Sequence, residues 1–210
     1  MAGSKKLVGK HREVAYKMLH TVCSILEEEN IPYVLEAGTL LGVIRENRLL
    51  PWDTDIDLTI TSDYAEQLLA IRNRFVKAGY RTKIRKHTVD IDVIKKGQAR
   101  ILKVQTRKFY FFKEHSLMDI FIKYKAGDKY LWTVDDANPV LKKCPAKFYD
   151  NKVRYEFDGR TFWVPAEYIN YLSYHYGKEW DKPIMEWDFR LDDHCERETL
   201  LPDVKKVNTF

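Results

Sequence analysis

Three aspartates at alternate positions, Asp53, Asp55 and Asp57, constrain this 210-residue chain more than any other feature. On an extended backbone, residues two apart project to one face, so these carboxylates converge. Like charges held that close are costly unless a cation compensates them or one takes up a proton. Oxygen donors at this spacing suit a hard divalent ion, Mg2+ or Mn2+. An EF-hand calcium loop is excluded, because position six from Asp53 is Leu58 instead of Gly and position twelve is Tyr64 instead of Glu. The plainer alternative is that the aspartates cap a turn and solvate a strand edge.

Hydrophobic residues make up 45% and charged residues 32%, a balance that excludes wholesale disorder. No apolar run reaches the length of about eighteen residues that a membrane-spanning helix needs. Residues 1–6 lead into a charged helical pattern and not into an apolar signal stretch. Cys23, Cys144 and Cys195 are scattered and odd in number, with no Cys-x-x-Cys pair. Neither a disulfide framework nor a cysteine zinc site is expected, and a reducing, cytoplasmic setting fits best.

The net charge of +5 is unevenly spread. Residues 81–113 hold eleven Lys or Arg against Asp90 and Asp92, so that segment alone is +9 and the rest is negative. Such a stretch suits a phosphorylated substrate or peripheral contact with an anionic membrane surface. It equally suits the solvated face of a sheet, because the charges alternate with apolar residues. Nothing in it resembles a nucleic-acid-binding signature, so no nucleic-acid partner is expected.

Val14, Met18, Val22, Ile25 and Leu26 recur at helical spacing and predict a helix from about 10 to 29, stopping before Pro32. A short extended segment at 33–36, an Ala37-Gly38-Thr39 loop and a short helix over 40–46 follow. The second half of 53–60 reads as a strand, and Ser62 or Asp63 caps the next helix, with Gly79 past its end. Strands are expected at 80–86, 88–94, 99–110, 116–124 and 130–134. A hairpin over 153–164 turns at Asp158-Gly159, and Pro165 opens a helix over 166–176 that Gly177 ends. The fold class is therefore α+β, a mixed sheet flanked by helices in one domain over 1–210, with 184–210 as a solvated acidic tail.

A Gly-Thr element before a short helix, followed by Asp-x-Asp on a strand, resembles the layout of nucleotidyltransferases. The longer string is more specific. Residues 35–45, LEAGTLLGVIR, and residues 50–57, LPWDTDID, closely resemble the LicD family, which includes bacterial phosphocholine transferases and eukaryotic fukutin and fukutin-related protein. The likeness continues at Met118-Asp119-Ile120-Phe121, in the hairpin from Phe157 to Phe162 with Val164-Pro165, and at Tyr176-Gly177-Lys178-Glu179-Trp180. It spans about 31–183. Two departures stand out. Thr54 occupies a position that is acidic in many members, and Ile122 stands where a proline usually follows Asp-Ile-Phe.

The resemblance implies a metal-dependent transferase that moves a phospho-alcohol from a CDP-activated donor to a hydroxyl of a glycan or lipid-linked glycan, releasing CMP. Asp55, Asp57 and Asp119 would be the metal ligands and catalytic carboxylates. Asp119 would hold a second ion or accept the acceptor's proton. Asp90 and Asp92 are a rival source of the third carboxylate. Gly38 and Thr39 would bind phosphate, Arg45 would pair with it, Trp52 would stack on the donor, and Asp53 would complete the substrate site. Tyr171, Tyr174, Tyr176 and Trp180 fit helix packing better than a cage for a choline-like cation. His115, His175 and the run Asp192-Asp193-His194-Cys195 read as structural or solvated. A nucleotidylyltransferase that releases pyrophosphate and a non-catalytic glycan- or nucleotide-binding module remain the alternatives.

Overall fold

The computed structural model describes residues 5–108, 112–134, 139–184, 187–188 and 192–199. The first helix, α1 (Gly9–Glu28), buries Ala15, Met18, Leu19, Val22, Cys23 and Leu26 along one stripe. Each such apolar side chain contributes about 1.5–3 kcal/mol when fully removed from water. Beyond Pro32 come β1 (Val34–Leu35), α2 (Ala37–Glu46) and β2 (Ile56–Thr61). The expected Ala-Gly-Thr loop is instead the first turn of α2, with Glu36 at its N-cap.

The next helical stretch is broken in two, α3 (Ala65–Ala70) and α4 (Arg72–Lys77), where Ile71 leaves helical geometry. Neither Ser62 nor Asp63 caps it through a side chain; both lie in a short 3-10 turn. The strands β3 (Arg81–Lys86), β4 (Ala99–Lys108), β5 (Phe112–Ala126), β6 (Lys129–Val134) and β7 (Val140–Pro145) follow. Last come α5 (Lys147–Asp150), the hairpin β8 (Lys152–Phe157) and β9 (Arg160–Pro165), α6 (Tyr168–Tyr176) and β10 (Glu196–Thr199). The hairpin turns through Asp158 (φ 48°) and Gly159 (φ 73°), as the two-residue Asp-Gly signal requires.

Among the described residues, eight strands form one mixed sheet in the order β1-β2-β5-β6-β7-β10, with β4 also on β5 and β3 on β4. Its parallel pair is β2–β5. Helix α1 covers the β8–β9 hairpin through Tyr16 against Phe157 and His20 against Phe162. No helix among the described residues is long and apolar enough to cross a membrane.

Two expectations are corrected here. Residues 88–94 are not a strand: Ile91 and Ile94 exchange backbone hydrogen bonds with each other, so the segment closes on itself as a turn. The acidic tail is not wholly solvated, since β10 pairs with β7 and both Asp193 and Cys195 are buried. Most of 184–210 lies outside the described residues. The basic stretch divides: Arg81, Lys83 and Lys86 face solvent, whereas Arg100 and Lys103 are buried.

Candidate active site

Register brings the carboxylates together. In the parallel β2–β5 pair Asp57 stands opposite Asp119, and in the antiparallel β4–β5 pair Asp119 stands opposite Lys103. Three adjacent strands thus carry a row of carboxylate, carboxylate and ammonium. Directly opposed like charges destabilise a sheet, and Lys103 Nζ, 2.5 Å from Asp119 Oδ2, offsets part of that cost. Asp55, one step before β2, completes a cluster with Asp57 and Asp119 whose carboxylate oxygens lie within 4.8 Å of one another. Asp90 and Asp92 are not in it. Both are exposed in the 88–94 turn, where Asp90 Oδ1 accepts the Lys96 amide.

The chain entering β2 is held by its own side chains. Asp53 Oδ1 accepts the Thr54 amide at 2.8 Å, and the Asp53 carbonyl accepts the Leu7 amide at 2.8 Å. Gly38 faces that carboxylate so closely that a Cβ there would sit 2.3 Å from Asp53 Oδ2. Its lack of a side chain therefore serves Asp53 in this structure. Thr39 is buried, and its Oγ1 accepts the Asp57 amide at 2.8 Å. The hydroxyl expected on phosphate thus positions the backbone of Asp57. Ala37 adopts φ 45° at the start of α2, a left-handed conformation that costs a non-glycine residue about 1–3 kcal/mol.

Burial and mutual repulsion shift these acids upward. Asp55 is pushed up to about 7, first by desolvation and then by Asp53 and Asp119. Asp57 is raised well above the ordinary carboxylate range by burial, with Asp55 and Asp119 adding to it. Burial also raises Asp53, against the pull of the Thr54 and Asp55 amides. Asp119 Oδ1 is buried with no hydrogen-bond partner. An orphaned carboxylate oxygen beside two acids that resist ionisation matches the need for a divalent cation, and the all-oxygen donor set suits Mg2+ or Mn2+.

Beside Asp53 opens a cavity of about 210 Å3, lined among others by Gly38, Arg45, Trp52, Tyr176, Trp180 and Trp187. Arg45 is already engaged: its guanidinium donates to Glu46 Oε1 at 2.7 Å and to the Trp180 carbonyl at 3.2 Å, and it lies 5.9 Å from the Trp52 ring centre. The aromatic cluster splits. Tyr171 is buried and Tyr174 donates to the Lys143 carbonyl, as packing predicts, whereas Tyr176 and Trp180 face the cavity. The side chain of His115 lies outside the described residues.

A second charged knot, which no local pattern foreshadows, anchors α2. Buried Glu36 accepts from Lys123 Nζ at 3.0 Å, from Tyr149 at 3.3 Å and from Tyr171 through a shorter contact. Lys123 in turn lies 3.8 Å from the Trp132 ring centre. Burial pushes the Glu36 carboxyl up, but the Lys123 ammonium and the Tyr171 hydroxyl outweigh it and hold it below its ordinary value. Since the Glu36 amide also donates to the Asp57 carbonyl, the knot ties the start of α2 to the carboxylate row.

A mixed sheet whose parallel strands oppose two aspartates, with a glycine-threonine helix start beside them, is the arrangement that the nucleotidyltransferase resemblance implies, and the matching family model is of that class. The family model described as LicD/FKTN/FKRP, nucleotidyltransferase domain, matches residues 30–167, and the chain belongs to that family. Uncharacterized protein RP689 of Rickettsia prowazekii (strain Madrid E) is 27% identical over 183 residues, covering 84% of this chain and 59% of that protein. Ribitol-5-phosphate transferase FKTN of Homo sapiens is 27% identical over 181 residues, covering 85% of this chain but 36% of that protein. The chain therefore spans less than two thirds of the length of these relatives. Among solved structures, that of ANT(2")-Ia in complex with adenylyl-2"-tobramycin has a TM-score of 0.42 at 17% identity, over 83% of this chain and 81% of that one.

Proposed function

We propose that the chain is a metal-dependent phosphotransferase that moves a phospho-alcohol from a CDP-activated donor to a glycan hydroxyl. The observation that carries this reading is the convergence of Asp55, Asp57 and Asp119 with one buried oxygen left unpartnered. Family membership supports it, as does the likeness to the human relative, which is named a ribitol-5-phosphate transferase.

Asp55 and Asp57 would hold Mg2+ or Mn2+, with Asp119 completing the donor set. A bound divalent ion would neutralise charge on the donor's diphosphate and on the departing CMP. Lys103 fixes Asp119 by its Oδ2, which leaves Oδ1 to face the ion, and the proton of the acceptor hydroxyl would leave to water. The acceptor oxygen forms the new bond to phosphorus, the bond from that phosphorus to the CMP oxygen breaks, and CMP keeps the electron pair. Trp52 and Trp180 wall the cavity beside Asp53, where a nucleoside or alcohol group would pack. The basic face of β3 would meet an anionic glycan or lipid-linked acceptor.

The decisive experiment combines a panel of CDP-alcohols with Mn2+ and reads thermal shift together with nucleotide products. Metal-dependent stabilisation and CMP release support the reading. Pyrophosphate release from a nucleoside triphosphate would replace it with nucleotidylyl transfer, and inertness toward every nucleotide would leave only a binding module.

A further inference from the structure

Away from the carboxylate row, three side chains able to ligate a metal meet in the interior, with Cys144 on the neighbouring strand. His175 comes from α6, Cys144 from β7, and Asp193 and Cys195 from the segment leading into β10. All four are buried, at 7% exposure or less. His175 Nδ1 lies 3.2 Å from Cys195 Sγ and 3.4 Å from Asp193 Oδ1. One donor atom from each of these three residues falls within 4.8 Å of the others. Cys144 lies on β7, the strand that β10 pairs with, and its thiol is the strongest influence on that of Cys195, although its sulfur is not among the donor atoms that fall within 4.8 Å of one another.

We propose that His175, Asp193 and Cys195, with Cys144 as the fourth donor, form a structural Zn2+ site that pins β10 against β7 and α6. Tetrahedral zinc with sulfur at about 2.3 Å and nitrogen or oxygen near 2.0–2.2 Å implies N···O separations of about 3.3–3.6 Å and N···S separations of about 3.5–3.7 Å; the 3.4 Å between His175 and Asp193 fits, and Cys195 Sγ, at 3.2 Å, would move outward by a few tenths of an ångström. Two thiolates and an imidazole select zinc over the hard ions that suit the carboxylate row. The surroundings are those of a supported site. Asp193 Oδ2 accepts from buried Lys142 Nζ at 2.9 Å, and Asp193 Oδ1 accepts the Cys195 amide at 2.8 Å. With both thiols ionised, Zn2+, two thiolates and one carboxylate sum to one negative charge, which the Lys142 ammonium balances. Zn2+ would take the place of the two thiol protons, which leave to solvent.

Linear spacing hides this set, since 51 positions separate Cys144 from Cys195 and no Cys-x-x-Cys pair occurs. The cluster also touches the cavity wall, because Tyr176 adjoins His175 and packs on Trp187 at 4.8 Å.

The test is metal content and Co2+ spectroscopy of the full chain. Purified protein should carry about one equivalent of zinc per chain, retained in the Asp55→Asn/Asp57→Asn double variant. Cobalt in place of zinc should give tetrahedral visible bands and a thiolate charge-transfer band. That band should be lost in Cys195→Ser and halved in Cys144→Ser, and metal affinity should fall at least tenfold in His175→Ala. Zinc that disappears with the Asp55→Asn/Asp57→Asn variant, or cobalt without a thiolate band in the wild type, overturns the site. So does a Cys144–Cys195 disulfide found by thiol alkylation and mass spectrometry. An unchanged band in Cys144→Ser removes that residue from the set. The wild-type measurements stand on their own if a variant fails to fold.

Discussion

Lys103 and Asp119 form an ion pair 2.5 Å long across adjacent strands, with both side chains about nine-tenths removed from solvent. The same ammonium lowers the repulsion felt by Asp55. The lysine therefore acts as a built-in counter-charge for a cluster that otherwise calls for a metal.

Replacing Lys103 by Met should destabilise the metal-free protein by about 3–5 kcal/mol, because it strips a buried carboxylate of its partner. Mn2+ should then raise the melting temperature more in this variant than in the wild type, since the cluster is more negative. Calorimetric melts with and without Mn2+ check this; equal shifts in the two proteins would refute the counter-charge role.

Gly38→Ala should spare the fold and cripple turnover. The added methyl would lie 2.3 Å from Asp53 Oδ2, so the carboxylate and the turn it holds must move. Alanine in a helix gains up to about 1 kcal/mol over glycine, whereas an ångström of misplacement at a reacting centre costs about a hundredfold in rate. Circular dichroism and steady-state rates separate the two effects, and a fully active variant would contradict the close-approach argument.

The Glu36–Lys123 pair invites a double-mutant cycle. Lys123→Met alone should cost about 3–5 kcal/mol, and the Glu36→Gln/Lys123→Met pair distinctly less than the sum of the singles. Urea denaturation measures both. Strict additivity would mean that the two side chains do not act as a unit.

Metal binding should release protons, and the sign follows from the raised acids. In the metal-free protein Asp55, at about 7, and Asp57, raised well above its ordinary value by burial and by Asp55, keep protons that the unfolded chain, with aspartate near 3.8, has already lost. Their contribution to stability is therefore fully present at low pH and is lost as pH rises through the folded values. A divalent ion needs them ionised, so its affinity should climb between pH 5 and about 7 with at least about one proton expelled. Calorimetry at pH 6 in two buffers of different ionisation enthalpy reads that number directly; identical heats would count against it.

Local signals in the sequence reached far into this fold. The helical stripe of α1, the Asp158-Gly159 hairpin and the alternation entering β2 each reside within a dozen residues, and each appears where those residues predict. Asp55, Asp57 and Asp119 come together, as the family resemblance suggested. What local patterns could not show depends on partners distant in the chain. Alternation at 88–94 imitates a strand, but the segment bonds to itself instead of to a neighbour. Lys103, within the basic stretch, and Lys123, beyond it, look like ordinary surface lysines until strand register turns them inward. The close approach of Gly38 to Asp53 and the hydrogen bond from the Asp57 amide to Thr39 likewise join residues fifteen or more positions apart. Asp193 and Cys195 look solvated until β10 docks on β7.

The parallel pairing of β2 with β5 has a kinetic corollary. Asp57 and Asp119 are 62 residues apart, so they meet only when the chain closes a long loop, whereas β3, β4 and β5 can zip up as neighbouring antiparallel strands. Long-range closure of this kind comes late and slowly in folding. Capture of a divalent ion at the proposed site would therefore double as a stopwatch: a refolding chain should gain its antiparallel ribbon before it can grip the ion.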